Sequence, residues 1–532
     1  MRVLLPVAIV ALVLALPPAV SGQVVVWTRQ FGSAGTDYST GISVGASGVY
    51  VAGLTTGALP DQTSSGSTDT FVRKYDAGGT EAWTRQFGSA GQDYSNGNGI
   101  SVDASGVYVA GQTNGALPGQ THLGDWDAFV RKYDAAGNVV WTHQFGTSTE
   151  DAVFAISVGA SGIYAAGVTR GALPGQTSSG NQDAFVRKYD AAGTEVWTRQ
   201  FGGGSFEQAH AISVDASGVY VAGGTEGALP GQTSSGGHDA WVRKYDASGN
   251  EVWTRQFGSA SVDLAGGISL DASGVYVTGG TYGALPGQTY TGDQDAFVRK
   301  YDAAGTEMWT RQFGTTGNDK VYGVSADASG VHAAGLVTGA LPGQTYTGGQ
   351  DAFVRKYDAA GTEVWTHQFG TADHDGAYVI SVDASGVYAA GGTGGALPGQ
   401  TSSGGADTFV VKLTSDMMTI LGFYHPVDMG GVLNTVKNGA TVPLKFEVFE
   451  GATELTDTSV VESLSLTQVV CTTGLPSDAI EITATGGTSL RYDTTAGQFV
   501  YNWKTPNMGN TCWDVTLTVV GGSSITAHFK LR

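Results

Sequence analysis

Carboxylates recur in this chain at fixed intervals, and clustered carboxylates are raw material for holding hard cations and for glycoside chemistry. One set lies six residues after the Phe of each Phe-Gly pair: Asp37, Asp93, Asp151, Glu207, Asp263, Asp319 and Asp375. A second set is Asp69, Asp127, Asp183, Asp239, Asp295, Asp351 and Asp407. Three close pairs look most like ligand sets: Asp125 with Asp127, Asp293 with Asp295, and Asp373 with Asp375. Ca²⁺ is the one cofactor this pattern admits, although no full EF-hand loop is present. The competing reading is structural: each acid caps loop N–H groups or pairs with repeated arginines such as Arg131 and Arg187. Strict repetition favours structure, since one metal site needs one or two copies.

Other chemistry is sparse. The nine histidines are scattered, with no HExxH pattern and no Gly-x-Ser-x-Gly elbow beside them. His143 and His367 replace the arginine of a repeated Trp-Thr-Arg-Gln, which suits surface or inter-repeat positions. Paired acids for glycoside chemistry occur in nearly every repeat, so they single out no site. Trp126, Tyr290 and Tyr346, with His122 and His238, fall in stretches that differ between repeats. Exposed rings beside Asp, Asn and Gln suit stacking on a sugar, so these five are the candidate ligand-binding residues.

The elements that must position these groups follow from a repeat. Trp27, Trp83, Trp141, Trp197, Trp253, Trp309 and Trp365 are spaced by 56 residues, with one interval of 58. From Trp197 on, one unit holds four β-like runs: His210–Asp215, Gly218–Gly223, Asp239–Asp246 and Glu251–Gly258. Alternating apolar and polar residues rich in Val, Ile, Tyr, Phe and Trp mark strands, and the short Asp/Ser/Gly/Asn joints mark hairpin turns. We call the strands A, B, C and D. Four antiparallel strands, repeated, is the pattern of a β-propeller blade. A, B and C run in seven copies, but the first D precedes any A and the last C has no D after it. A ring repairs this: Val24–Gly32 supplies the missing outer strand of the last blade and removes an exposed edge. A linear solenoid would leave half-blades unpaired.

The copies also differ from one another. A–B and C–D joints are minimal and nearly constant. The D–A joints, read as loops, diverge: "SAGTDYSTG", "SAGQDYSNGNG", "TSTEDAVFA", "GGSFEQAHA", "SASVDLAGG", "TTGNDKVYG" and "TADHDGAYV". The B–C joints keep a base of "GALPGQT", once "GALPDQT", and then diverge. A rigid base with varying tips is a common way to carry a binding surface, so contacts are expected at this end.

"DASGVYVAG", "GALPGQT", "DAFVRKYDAAGTE" and "WTRQFG" resemble the seven-bladed β-propeller repeat family, SBBP, over about Trp27 to Thr414. The resemblance implies an extracellular or cell-surface bacterial or archaeal protein and transfers no catalytic residue.

After Asp416 the repeat stops, and about seven strands in the last ~110 residues suggest a β-sandwich. Cys471 and Cys512 are the only cysteines. In an exported chain such a pair is expected to be a disulfide, worth about 4 kcal/mol in the chain-entropy model. "NTVKNGATVPLKFEVF", "LRYDTTAGQFVYNWKT", the two cysteines and the final "AHFKL" resemble the PxKF domain, with Pro443-Leu444-Lys445-Phe446 as its motif. The resemblance implies an accessory module of exported proteins.

Met1-Arg2, an apolar run and Ala19-Val20-Ser21-Gly22 read as a cleaved signal peptide. No later stretch approaches the ~20 apolar residues of a membrane span. The net charge of −20 argues against nucleic acid. The expected fold class is thus all-β, with residues 1–22 as signal peptide, 23–416 as a seven-bladed propeller and 417–532 as an immunoglobulin-like, PxKF-like sandwich. The expected function is a secreted or cell-surface, non-enzymatic binding or adhesion module. Its expected partner is an extracellular glycan or a cell-envelope protein. Rival readings are a polysaccharide lectin, a polysaccharide hydrolase or lyase, and a structural spacer.

Overall fold

A computed structural model of the protein describes residues 25–413, 418–450, 453–471, 477–480, 489–519 and 524–532. The signal-peptide stretch and the boundary near Asp416 lie outside the described residues. The protein is all-β, with one 3₁₀ turn at Thr458–Val460 among the described residues.

From residue 25 to 413 the chain forms seven four-stranded antiparallel sheets. Their A strands are Asp37–Gly45, Asp93–Asp103, Asp151–Gly159, Glu207–Asp215, Asp263–Asp271, Lys320–Asp327 and Asp375–Asp383; we number the blades 1 to 7 in that order. Each A strand touches the A strand of the next blade, and that of blade 7 touches that of blade 1, so the sheets form a closed ring. The closing piece is the one the repeat phase calls for. Val25–Phe31 pairs antiparallel with Asp407–Leu413 and completes blade 7. The A strands start earlier than the sequence pattern suggests. In blade 4 the strand begins at Glu207, three residues before His210. The ends of the segments read as D–A loops are therefore strand.

Neighbouring blades share their cores. Each of seven apolar clusters draws on two consecutive blades; Trp83, Phe87 and Ile100, for example, pack with Tyr50, Val72 and Phe129. A single blade buries too little to stand alone, so the copies stabilise one another. The repeated Trp-Thr-Arg fixes the spacing. Trp83 Nε1 donates to Ala135 O at 3.3 Å and Arg85 Nε to Gly137 O at 2.9 Å, which ties this D strand to the C–D turn of the next blade, as in the four other copies that keep the arginine. Gly137 has φ of 80° and faces the Trp83 ring, so the turn needs glycine there.

Residues from 418 onward form two five-stranded sheets. They enclose one core that includes Leu444, Phe446, Phe499, Trp503 and Phe529. Pro443 to Phe446 lie on the strand Thr441–Glu450, with Leu444 and Phe446 buried and Lys445 partly exposed. Cys471 and Cys512 form a disulfide.

Candidate functional site

The inner strands carry the site. In blade 1 the burial pattern along Asp37–Gly45 alternates: Asp37 and Ser39 are buried between blades, while Tyr38 and Thr40 are partly exposed. The register then slips between Ser39 and Gly41, so Thr40 is the extra residue of a β-bulge. Blades 3 to 7 show the same slip two to four residues past the acid. Without it, the period of two would turn Ile42 outward and Ser43 inward. With it, the acid and the Ile both reach the inter-blade core, and three residues per strand face the channel. Bulges of this kind re-aim side chains.

Two of those three channel positions differ round the ring. The third residue after the acid is Thr40, Asn96, Phe154, His210, Gly266, Tyr322 and Tyr378. The first is Tyr38, Tyr94, Ala152, Gln208, Leu264, Lys320 and Gly376. The remaining channel position is serine in every blade, Ser43 through Ser381. Several of these serines clasp the next blade: Ser101 Oγ accepts from Val158 N at 3.1 Å, and Ser325 Oγ from Val382 N at 3.1 Å. The same strand thus holds a constant structural ring and a diversified one.

The seven third-position residues, with Gln208, Leu264 and Lys320 from the first position, line a cavity of about 520 Å³ to which all seven blades contribute. Blade 2 differs further. It carries two extra residues, and Asn98, at φ of 61°, donates through Nδ2 to Gly266 O at 3.3 Å. Gly266 belongs to blade 5, three places round the ring, so this segment reaches across the axis. Tyr322, Tyr378 and Tyr38 form an edge-to-face row with ring separations of 5.4 Å and 6.3 Å. His210 Nδ1 donates to Ala265 O at 2.9 Å, and its Nε2 lies 2.9 Å from the Gln208 amide oxygen. Burial first, and then the Lys320 charge, hold the imidazole below its usual value, against the pull of the Ala265 carbonyl. Lys320 lies 4.6 Å from the Tyr322 ring centroid. Burial lowers its ammonium from the ordinary lysine value.

The repeated acids lie outside this cavity and are buried. Asp93 Oδ2 accepts from Ser89 N at 2.6 Å and Ser89 Oγ at 3.1 Å. Asp127 Oδ2 accepts from Leu123 N at 2.7 Å and Gln144 Nε2 at 2.7 Å. They cap loops, and do not pair with the repeated arginines as the sequence pattern allows. Arg131 Nε instead donates to Thr142 Oγ1 at 2.9 Å and its guanidinium lies over the Phe87 ring; Arg187 pairs with Glu195 at 3.4 Å. Each C-strand acid faces the A-strand acid of the next blade. Asp69 Oδ1 and Asp93 Oδ2 approach within 2.4 and 2.6 Å of the point where a Gly88 side chain would begin. This is why glycine follows phenylalanine in every copy. Burial raises the carboxyls of Asp37, Asp93, Asp151, Glu207, Asp263 and Asp319, and the facing acid adds to the shift.

The three close Asp pairs are split because the first acid of each lies in the loop before the strand and the second is the strand's first residue. Asp125, Asp293 and Asp373 are exposed, whereas Asp127, Asp295 and Asp375 are buried in the loop-capping positions. Among the described residues no three His, Cys, Asp or Glu side chains group as a metal site. The loop aromatics are also engaged locally. Tyr290 Oη donates to Asp293 O and Tyr346 Oη to Gly349 O, each at 2.6 Å within its own loop. Trp126 stacks on Tyr94 at 5.5 Å and borders a shallow groove with Asp125, Glu150 and Arg170. His122 is exposed, and His238 is the partly exposed first residue of a C strand. The structure does not bring these five together. His143 stacks on Tyr189 of the next blade.

Residues 82–118, one stretch of the repeat, match the family model described as Beta-propeller repeat, SBBP. The chain is 26% identical over 358 residues to the Regulatory protein FlaEY of Caulobacter vibrioides, covering 58% of this chain and 37% of that one. The repeat chain thus spans little more than a third of this relative. Among solved structures it is similar to the Neurospora crassa Pan2 WD40 domain, at TM-score 0.41 and 11% identity over 72% of this chain and 95% of that one. It is also similar to the phage phi92 endosialidase, at TM-score 0.42 and 10% identity over 95% and 87%. At these TM-scores the two likenesses carry no argument.

Proposed function

We propose that this chain is a secreted or cell-surface, non-enzymatic binding module: a seven-bladed propeller followed by an immunoglobulin-like, PxKF-type sandwich. It binds its ligand in the central cavity at the D–A and B–C end of the propeller. One observation carries this reading. Beyond the B–C tips, the seven copies diverge chiefly where their channel-facing side chains meet in one cavity. Drift on exposed loops would scatter differences over the outer surface. Divergence gathered on the channel-facing side of a buried strand instead builds an asymmetric site from a symmetric scaffold. A cavity of about 520 Å³ lined by rings and a few polar groups falls within the usual range of small-molecule sites.

The loop-tip rings support a lectin role less well, because Tyr290 and Tyr346 are bonded to their own loops. The test is a glycan and metabolite array on the full chain, with two variants beside it. Gly266→Phe fills the cavity from a position where a side chain meets its first neighbours at ordinary contact distances, 3.6 Å and beyond. A triple Ala variant removes Trp126, Tyr290 and Tyr346. Binding lost in the first and kept in the second supports the cavity; the reverse moves the site to the loops.

A further inference from the structure

The cavity has a charge character opposite to that of the chain. The protein has 47 acidic and 27 basic residues. The described cavity lining contains no carboxylate and one lysine, Lys320. The buried acids that precede each diversified position turn away into the blade interfaces, a consequence of the strand pleat. Lys320 has no ion pair and no hydrogen bond among the described residues; its ammonium lies 4.6 Å from the Tyr322 ring centroid. A partly buried ammonium without a counter-ion is costly, and an incoming anion would relieve that cost.

The rest of the lining defines what the anion is attached to. Beside Lys320 the lining carries the Tyr322 and Tyr378 rings, packed edge to face. The lining also holds amides and a hydroxyl: Asn96, Asn98, Gln208 and Thr40. Asn98 keeps one Nδ2 contact across the axis and leaves its oxygen free to accept. Rings interleaved with amides and hydroxyls match a hydroxylated, saturated ring better than a bare hydrocarbon.

We propose that the cavity takes a carboxylated sugar, with the carboxylate at Lys320 and the sugar ring among the tyrosine rings and the amides. This rests on the cavity being the binding site. The ligand is either the free uronic acid or the terminal unit of an acidic polysaccharide. An end unit is favoured by the Asn98 segment, which crosses the axis and leaves no straight passage for a chain.

The test is calorimetry on the full chain with galacturonate, glucuronate, an oligogalacturonate, and neutral galactose and glucose as controls. The variants are Lys320→Met, which keeps the apolar stem, Lys320→Arg, and Gly266→Phe; matched thermal melts confirm folding. The expected result is binding of an acidic sugar at least tenfold tighter than its neutral counterpart, a preference lost in Lys320→Met and partly kept in Lys320→Arg. Tighter binding of the oligomer than of the free acid identifies the chain end as the natural form, and equal binding identifies the free acid. Equal affinity for acidic and neutral sugars, or a preference unchanged in Lys320→Met, overturns the proposal. A neutral sugar that binds and is blocked by Gly266→Phe leaves the cavity as the site while defeating the acidic ligand. Absence of binding by every probe also defeats it.

Discussion

Replacing Asp93 by Asn should make the protein more stable. Asp93 and Asp69 are both fully buried and face each other between blades 1 and 2. One oxygen of each, Oδ1, has no hydrogen-bond partner. Their approach round Gly88 puts Asp69 Oδ1 and Asp93 Oδ2 at most about 5 Å apart, and unit charges there repel by about 3 kcal/mol at an effective dielectric of about 20. Against this, the Ser89 hydrogen bonds to a carboxylate become bonds to a neutral amide, a loss of about 1–2 kcal/mol. The net expectation is a gain of about 1–2 kcal/mol at neutral pH. The pH dependence supplies the control. Burial raises the Asp93 carboxyl above its ordinary value, and Asp69 adds to that. The folded state therefore holds a proton that the unfolded chain releases. Wild-type stability should rise as pH falls through the raised value, and level off below the ordinary value near 3.8. The advantage of Asp93→Asn should shrink over the same window. Thermal and denaturant melts of both proteins across neutral to acid pH measure this. A variant less stable at neutral pH, or an advantage independent of pH, would refute the reasoning. Stabilisation of wild type alone by Ca²⁺ would mean that the pair holds a cation.

Four further outcomes follow from the same structure. Gly88→Ala should cost about 1–3 kcal/mol, because the new methyl meets Asp69 and Asp93 at once; denaturant melts read it. Deleting Val25–Phe31 should leave the Asp407–Leu413 edge unpaired and produce concentration-dependent association in sedimentation runs. Replacing Cys471 and Cys512 by Ala should destabilise the C-terminal sandwich by about 2–5 kcal/mol, seen as a lower calorimetric transition that reductant reproduces in wild type. Asn98→Ala should leave the melt nearly unchanged while altering affinity for whatever ligand the array finds, since Asn98 bonds across the cavity rather than within its own blade.

Much of this protein could be read from its sequence. The period set by Trp27 to Trp365 and the out-of-phase D strand were enough to imply a closed ring, because an unpaired edge has no stable alternative. The short Asp-Ala-Ser-Gly turns were equally plain; Asp103 Oδ1 accepts from Ser105 N and Gly106 N, as local hydrogen-bonding chemistry dictates. Repetition also suggested that the ring of acids is structural. The divergence of the copies was visible too, but segments such as Ser33–Gly41 were read as loops, and the variable residues were placed on tips. The signal that could have moved them was the alternation after each acid, where every second residue varies. What only the tertiary structure decided is where those residues point. A one-residue bulge is invisible to a strand period of two, yet it lets the acid and the Ile of one strand share the inter-blade core while three other residues face the channel. Residues more than a hundred positions apart, Asn98 and Gly266 or Lys320 and His210, become neighbours only because the ring closes. Local chemistry fixes strands and turns; the convergence of seven inner strands on one axis is a property of the closed fold.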